Sequence, residues 1–93
     1  MAKKAVSVEF FFAGGCSNCA KAREALREVA ASAAEVEWSE IDIGKNPHRA
    51  VDVGVVSTPA VAINGSLVFK SAPTPSELRT AIKARLGKGR AWT

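Results

Sequence analysis

Residues 6–19 read VSVEFFFAGGCSNC. Apolar side chains occupy every even position up to Phe12, whereas Ser7 and Glu9 begin the other face of the segment. This alternation predicts a β-strand over 5–12. Phe11 makes the end of the strand apolar on both faces, which is typical of a central strand that is covered on both sides. The segment therefore predicts a buried strand that leads, through a glycine-containing loop, to a pair of cysteines.

A helix and a second strand follow this segment. Alanine, leucine and valine recur at helical spacing over 17–33, with charged residues on the outer side, and predict an amphipathic helix. Residues 36–43 predict a second strand. Its apolar positions change phase after Trp38, from even positions to Ile41 and Ile43. This change indicates either a β-bulge or a strand that is buried on both faces, and both alternatives stay open.

A short helix and a hairpin come next. Asn46 is a good N-cap for the short helix, and Gly54 suits its left-handed C-terminal position. The dipeptide Asn64-Gly65 predicts a tight turn, because both residues tolerate positive φ. The two strands that this turn joins are predicted over residues 60–63 and 66–69.

The last helix opens with a capping box, TPSE at 74–77, and is expected to end at Gly87. The predicted order is thus βαβαββα. It indicates an α/β fold in which a four-stranded mixed sheet, with one right-handed parallel crossover, has helices on both faces. We expect a single domain over 1–93, with an ordered core of about 5–87 and a loose tail over 88–93.

Composition and charge exclude several classes of function. No apolar run approaches the roughly 18–20 residues of a membrane helix. A signal peptide is not expected, because Glu9 interrupts the apolar N-terminal segment and cleavage would remove a strand. The net charge of +4 is not accompanied by a basic groove rich in aromatic residues, so nucleic-acid binding is not expected. We expect a cytoplasmic monomer with no membrane association.

The pair Cys16 and Cys19 is the strongest functional signal in the chain. Two cysteines are too few for a disulfide framework, which leaves metal binding or redox chemistry. A structural zinc site would need a second pair of ligands, and the only histidine, His48, is interpreted as a solvated residue of the short helix. Neither a metal nor another cofactor is therefore expected.

The position of the pair predicts different roles for the two thiols. Cys16 lies at the start of a helix, where unpaired N–H groups favour a thiolate and lower its pKa from about 8.5. Cys19 lies about one turn further along and is less exposed. We therefore expect Cys16 to be the attacking thiol and Cys19 the resolving thiol of a thiol–disulfide exchange with protein disulfides.

From Val6 to Leu86 the chain resembles the thioredoxin-like superfamily, and most closely its small, glutaredoxin-sized members. The resemblance depends on three motifs: GCSNC at 15–19, GVVSTPA at 54–60, and ING at 63–65 followed by the capped helix. It implies a minimal thioredoxin fold, a disulfide oxidoreductase activity and a cis bond before Pro59. It also implies that the backbone of Thr58 pairs with an extended substrate, so Gly15, Ser17, Thr58 and Pro59 are the expected substrate-binding residues.

The chain departs from the better-known members at several positions. Ordinary thioredoxins have tryptophan where this chain has Gly15, and a buried carboxylate where it has Phe10. Glutaredoxins have a Gly-Gly-Asp type of segment for glutathione, and the corresponding residues here are SAPT at 71–74. We therefore expect a thioredoxin-reductase-like flavoprotein, rather than glutathione, to be the electron donor.

Two other classes of protein stay open as alternatives. A copper metallochaperone also has C-x-x-C between its first strand and helix, but its order is βαββαβ and a methionine usually stands where this chain has Gly14. The second alternative is a non-catalytic thioredoxin-fold module that binds a metal, a cluster or a partner. Metal content and colour of the purified protein distinguish these classes from the redox enzyme.

Overall fold

The computed structural model describes residues 5–86, apart from the side chain of Ser17. The element order βαβαββα is confirmed, and the strands and helices are β1 Val6–Phe12, α1 Ser17–Ala31, β2 Val36–Asp42, α2 Pro47–Val53, β3 Ala60–Ile63, β4 Ser66–Phe69 and α3 Pro75–Leu86. Gly87, the predicted end of α3, and the predicted loose tail over 88–93 lie outside the described residues. Over the described part, no helix is both long and apolar enough to cross a membrane.

The four strands form one mixed sheet in the order β2-β1-β3-β4. β1 is parallel to β2 and antiparallel to β3, and β3 is antiparallel to β4. β1 ends where β3 begins, with Phe11 paired to Ala60. The loop after β1, which leads to the cysteines, and the segment before β3 therefore lie at the same end of the sheet. Because the strands are adjacent, the segment that follows Phe12 and the segment that precedes Ala60 are brought together.

The change of phase in β2 reflects burial on both faces rather than a bulge. The pairing of β1 with β2 continues without a shift from Val6–Val36 to Phe12–Asp42. Trp38 packs against one core cluster, whereas Ile41 packs against the other. The irregularity in the sheet lies elsewhere, between Val61 and Ala62 in the β3–β4 pair.

Two apolar layers hold the sheet between its helices. The larger cluster joins the even positions of β1 to α1 and α3, and its fully buried members include Phe10, Leu26 and Ile82. The smaller cluster lies on the opposite face, where Phe11 contacts residues of β3 and the end of α2. Helices on both faces were predicted, and this division of the core confirms them.

Most of the predictions made for the turns and the helix caps are confirmed. Asn64 and Gly65 have φ of +54° and +84°, as a tight hairpin turn requires. The capping box of α3 is complete: Thr74 N–H donates to Glu77 Oε1 at 2.8 Å, and Glu77 N–H donates to Thr74 Oγ1 at 3.1 Å.

One local prediction was wrong, and another was confirmed only in part. Asn46 is the N-cap residue of α2 as predicted, but its side chain makes no capping hydrogen bond, because its amide instead donates to the carbonyl of Asp42 at 3.2 Å. Helix α1 ends at Ala31 rather than at Ala33. There, the Ser32 hydroxyl donates to the carbonyl of Val29 at 2.7 Å, and the N–H of Ala33 donates to the carbonyl of Ala30, three residues back, so the helical i→i−4 pattern does not continue.

One ion pair joins the sheet to α2. Arg49 donates from Nε and Nη2 to the two carboxylate oxygens of Glu9, at 2.7 and 2.6 Å. This contact ties the middle of β1 to the helix whose C-terminal end leads into the segment over 54–59. No sequence signal pointed to it.

Candidate active site

Cys16 and Cys19 form a disulfide at the N-terminus of α1. Cys16 is the N-cap residue of the helix, with extended backbone dihedrals, and its Sγ accepts the N–H of Cys19 at 3.2 Å. The first turn of α1 contains no acidic residue. Backbone N–H groups and the positive end of the helix therefore act on the Cys16 sulfur without an opposing carboxylate in that turn.

The two cysteines differ in their exposure to solvent. Cys19 is 4% exposed and belongs to the larger core cluster together with Phe10. Cys16 is only partly buried and lies at the margin of the same cluster. Cys16 is thus the more accessible of the two residues to an incoming molecule.

Phe10 and its surroundings determine what lies behind Cys19. Phe10 is fully buried, and its ring stacks on those of Phe12 and Trp38 at centroid distances of 6.5 and 5.7 Å. Among the described side chains, which do not include that of Ser17, none that is polar or charged is buried. The described part of the site therefore has no buried carboxylate that could accept the proton of Cys19.

An open groove lies along one side of the cysteine pair. It is lined by Phe12, Ala13, Gly14, Gly15, Cys16, Cys19, Ala20 and Arg23. Gly15 has φ of +81°, and a Cβ placed on either Gly14 or Gly15 would meet nothing within 4 Å. The loop before Cys16 thus leaves open space beside the disulfide.

The segment before β3 forms the other side of this end of the sheet. The Thr58–Pro59 peptide bond is cis, as the resemblance implied. Pro59 is buried, Thr58 is half-buried, and the pairing of Phe11 with Ala60 places them beside the end of β1. Three residues before Pro59, the side chain of Val56 is 89% exposed.

The remaining predicted residues are placed as follows. Ser17 begins α1, but its side chain lies outside the part of the chain that the structure describes. His48 is exposed on α2, and α1 and β2 separate it along the chain from the cysteine pair. Within residues 5–86, no group of three or more His, Cys, Asp or Glu is placed to hold a metal ion.

Sequence reasoning did not identify Arg23 or Val56. Arg23 lies four residues after Cys19 on the same helix, so helical spacing alone could have placed it beside the cysteine. Val56 belongs to the apolar run of Val55 and Val56, and nothing in that run indicates which valine is exposed. In the structure, Val55 packs against the smaller core cluster and Val56 does not.

Comparisons with known proteins agree with this geometry. The family model described as "Thioredoxin domain" matches residues 5–83. The chain is 38% identical to a thioredoxin of Methanocaldococcus jannaschii over 84 residues, which cover 87% of this chain and 96% of that protein. It is 33% identical to a probable thioredoxin of Methanothermobacter thermautotrophicus over 78 residues, covering 83% of this chain and 92% of that protein.

Solved structures show the same fold. A thioredoxin mutant from Halobacterium salinarum superposes with a TM-score of 0.80 at 19% identity, over 94% of this chain and 80% of that one. Thioredoxin from Fasciola hepatica superposes with a TM-score of 0.76 at 26% identity, over 89% of this chain and 83% of that one. The βαβαββα order of this chain differs from the βαββαβ order of a copper metallochaperone. The similar proteins described above are thioredoxins.

Proposed function

We propose different chemical roles for the two cysteines of this chain, which belongs to the thioredoxin family. The protein is a thiol–disulfide oxidoreductase with a redox-active Cys16–Cys19 pair. In our proposal Cys16 attacks the substrate disulfide and Cys19 resolves the intermediate. The observation that carries this assignment is the contrast between a partly exposed N-cap cysteine, Cys16, and a neighbouring cysteine that is 4% exposed, Cys19.

The proposed reaction is a two-step exchange. The Cys16 thiolate attacks one sulfur of the substrate disulfide, forms a mixed disulfide and expels the other substrate sulfur as a thiolate. Cys19 then gives up its proton to the expelled substrate thiolate or to water, and its sulfur attacks Sγ of Cys16. This step releases the second substrate thiolate and forms the Cys16–Cys19 disulfide. The substrate gains two electrons, and the enzyme dithiol loses them.

Alkylation and trapping test these roles. With the disulfide reduced, iodoacetamide should modify Cys16 at least about tenfold faster than Cys19 near neutral pH, because the helix N-terminus favours the thiolate and Cys19 is buried. Cys19→Ser should accumulate mixed disulfides with protein substrates. Cys16→Ser is the matched control and should form none. Faster modification of Cys19 than of Cys16 would contradict the assignment.

We further propose that the substrate polypeptide lies between the two loops at this edge of the sheet. Thr58 would pair its backbone with an extended substrate segment, next to Pro59, while Gly15 and Ser17 flank the reacting sulfur. The adjacency of β1 and β3 supports this placement, and so does the open space at Gly15. Crosslinking the trapped Cys19→Ser complex from a photoreactive group beside the substrate cysteine should label these loops, and labelling confined to α3 would contradict it.

The electron donor that we propose is a thioredoxin-reductase-like flavoprotein. The segment over 71–74 has neither paired glycines nor an aspartate, and its buried Pro73 has no N–H to offer a glutathione carboxylate. A coupled assay on the oxidised protein tests this choice. One arm contains NADPH and the thioredoxin reductase of the source organism, and the other contains NADPH, glutathione and glutathione reductase. Saturable turnover in the glutathione arm alone would contradict the proposal.

We also propose a cytoplasmic monomer that forms a single domain over 1–93. The family match over residues 5–83 supports one domain, and a reducing compartment suits an enzyme that must return to its dithiol form. Light scattering on the eluting protein measures the oligomeric state, and fractionation of the source cells measures the location. A dimeric mass or a membrane fraction would contradict the respective part.

A further inference from the structure

Among the described residues that line the groove beside the cysteine pair, Arg23 alone is charged. We propose that Arg23 is a specificity-determining residue that binds a carboxylate side chain of the substrate polypeptide, close to the substrate cysteine. This inference rests on the proposed function, because it assumes that a polypeptide disulfide is attacked by Cys16. It adds a chemical preference for acidic substrates that the cysteine pair alone does not provide.

The guanidinium of Arg23 is held in place but keeps its hydrogen-bond donors. It lies over the ring of Phe12, 5.7 Å from the ring centroid, and 3.9 Å from Oε1 of Glu40. A separation of 3.9 Å is too long for a hydrogen bond. Among the described groups, leaving the Ser17 side chain aside, none accepts a hydrogen bond from the Arg23 side chain. A planar guanidinium with unused donors matches the two oxygens of a carboxylate.

Glu40 does not neutralise this end of the groove. Its carboxylate is shared between Arg23 and Arg27, which lies 3.9 Å from Oε2, and it also accepts the indole N–H of Trp38 at 2.8 Å. Two guanidinium groups therefore face one carboxylate. The excess positive charge is on the arginines, and Arg23 is the one that lines the groove.

The rest of the groove favours a polypeptide as the bearer of the carboxylate. Its walls are mostly apolar, formed by Phe12, Ala13 and Ala20, which strengthens a charged contact relative to open water. Gly14 and Gly15 leave space for a main chain to approach beside Cys16. Arg23, at 39% side-chain exposure, is reached from solvent without displacing a core residue.

Matched peptide disulfides test the preference. Three peptides differ only in the residue that flanks the reactive cysteine, which is Glu, Gln or Lys, and kcat/KM is measured for each at low salt. We expect the Glu peptide to exceed the Gln peptide by about tenfold in kcat/KM, which corresponds to about 1.4 kcal/mol, and the Lys peptide to be the slowest. The difference should shrink as NaCl is added, because the contact is partly exposed.

Two arginine variants assign the preference to its residue. In Arg23→Gln the ratio of kcat/KM between the Glu and Gln peptides should fall to about one, whereas in Arg79→Gln, at an exposed arginine of α3 outside the groove, it should stay near tenfold. Arg23→Lys should retain part of the ratio, because it keeps the charge and loses the planar fork. An unchanged ratio in Arg23→Gln, or no preference in the unaltered protein, would overturn the inference.

Two further measurements distinguish a carboxylate site at Arg23 from a direct effect of Arg23 on the thiolate and from a glutathione site. If Arg23→Gln slows all three peptides equally and also slows alkylation of Cys16, Arg23 acts on the thiolate and the carboxylate site is refuted. If oxidised glutathione shows the same tenfold dependence on Arg23 as the Glu peptide, the commitment to a polypeptide is refuted. Failure of the proposed function looks different, because then no peptide is reduced, or reduction persists in Cys16→Ser.

Discussion

The ion pair between Glu9 and Arg49 should stabilise this fold measurably, unlike most ion pairs at protein surfaces. Glu9 is only 13% exposed, whereas Arg49 is 41% exposed, and two hydrogen bonds of 2.6 and 2.7 Å join them. Exposed pairs contribute about 0–1 kcal/mol, and removing one partner of a buried pair costs about 3–5 kcal/mol. This pair lies between the two cases.

The expected magnitudes follow from the unequal burial. Arg49→Gln leaves a mostly buried carboxylate without its partner, and it should lower the free energy of unfolding by about 2 kcal/mol after allowance for the exposure of Arg49. Glu9→Gln should cost less, about 1 kcal/mol, because its amide oxygen still accepts from Arg49. The double variant should reveal a coupling energy of about 1–2 kcal/mol.

Urea unfolding of the oxidised proteins, followed by far-UV circular dichroism, measures these energies. Arg79→Gln, on the exposed side of α3, is a matched control and should change the free energy of unfolding by less than about 0.5 kcal/mol. A coupling energy below about 0.5 kcal/mol, or equal effects of Arg49→Gln and Arg79→Gln, would refute the reasoning.

The pH dependence of this pair has a defined sign. The hydrogen bond with Glu9, followed by its charge, raises the pKa of the Arg49 guanidinium above its already high ordinary value. A raised pKa stabilises the folded state at every pH below the ordinary value, and that contribution is lost only when the pH rises through the folded-state value. The deficit of Arg49→Gln should therefore stay constant between about pH 6 and pH 9. A deficit that disappears within this range would contradict the assignment.

Three further predictions concern the cap, the core and the exposed valine. Thr74→Ala should lower the free energy of unfolding by about 1 kcal/mol, because it removes one half of the capping box; an unchanged urea midpoint would contradict this. Phe10→Ala should cost about 3–5 kcal/mol, measured in the same way, since the ring is fully buried behind the cysteine pair; a loss below about 1 kcal/mol would show that the cavity closes. Val56→Asp should raise KM for protein disulfides about fivefold, because we expect this exposed side chain to contact the substrate. Val51→Asp, at another exposed valine, is the control. Equal effects of the two substitutions on KM would contradict a substrate contact at Val56.

Much of the fold could be predicted because its signals are local. The hairpin at Asn64-Gly65 follows from the φ values that these residues tolerate, and the capping box of α3 follows from a spacing of three residues. Such signals act within one turn of the chain. Where a local signal had a competitor, the prediction was confirmed only in part: Asn46 is the N-cap residue of α2, but its amide binds the carbonyl of Asp42 and makes no capping hydrogen bond.

The change of phase in β2 shows where local information ended. A bulge and two-sided burial produce the same sequence pattern, and only the position of β2 between the two core layers distinguishes them. Val55 and Val56 pose the same difficulty, because adjacent identical residues differ only in what the rest of the fold places next to them.

The sequence by itself determined the element order, the cysteine pair at the start of a helix and the segment that contains Thr58 and Pro59, since each depends on residues close together in the chain. Tertiary structure decided which distant residues meet. The strand order β2-β1-β3-β4 brings the Pro59 segment beside the end of β1, and the packing of helices on the two faces joins Arg49 to Glu9 and Arg23 to Glu40. These contacts join residues 17 to 40 or more positions apart along the chain, and no periodicity or capping pattern extends that far, so side-chain partners of this kind are specified only once the sheet and its helices have packed.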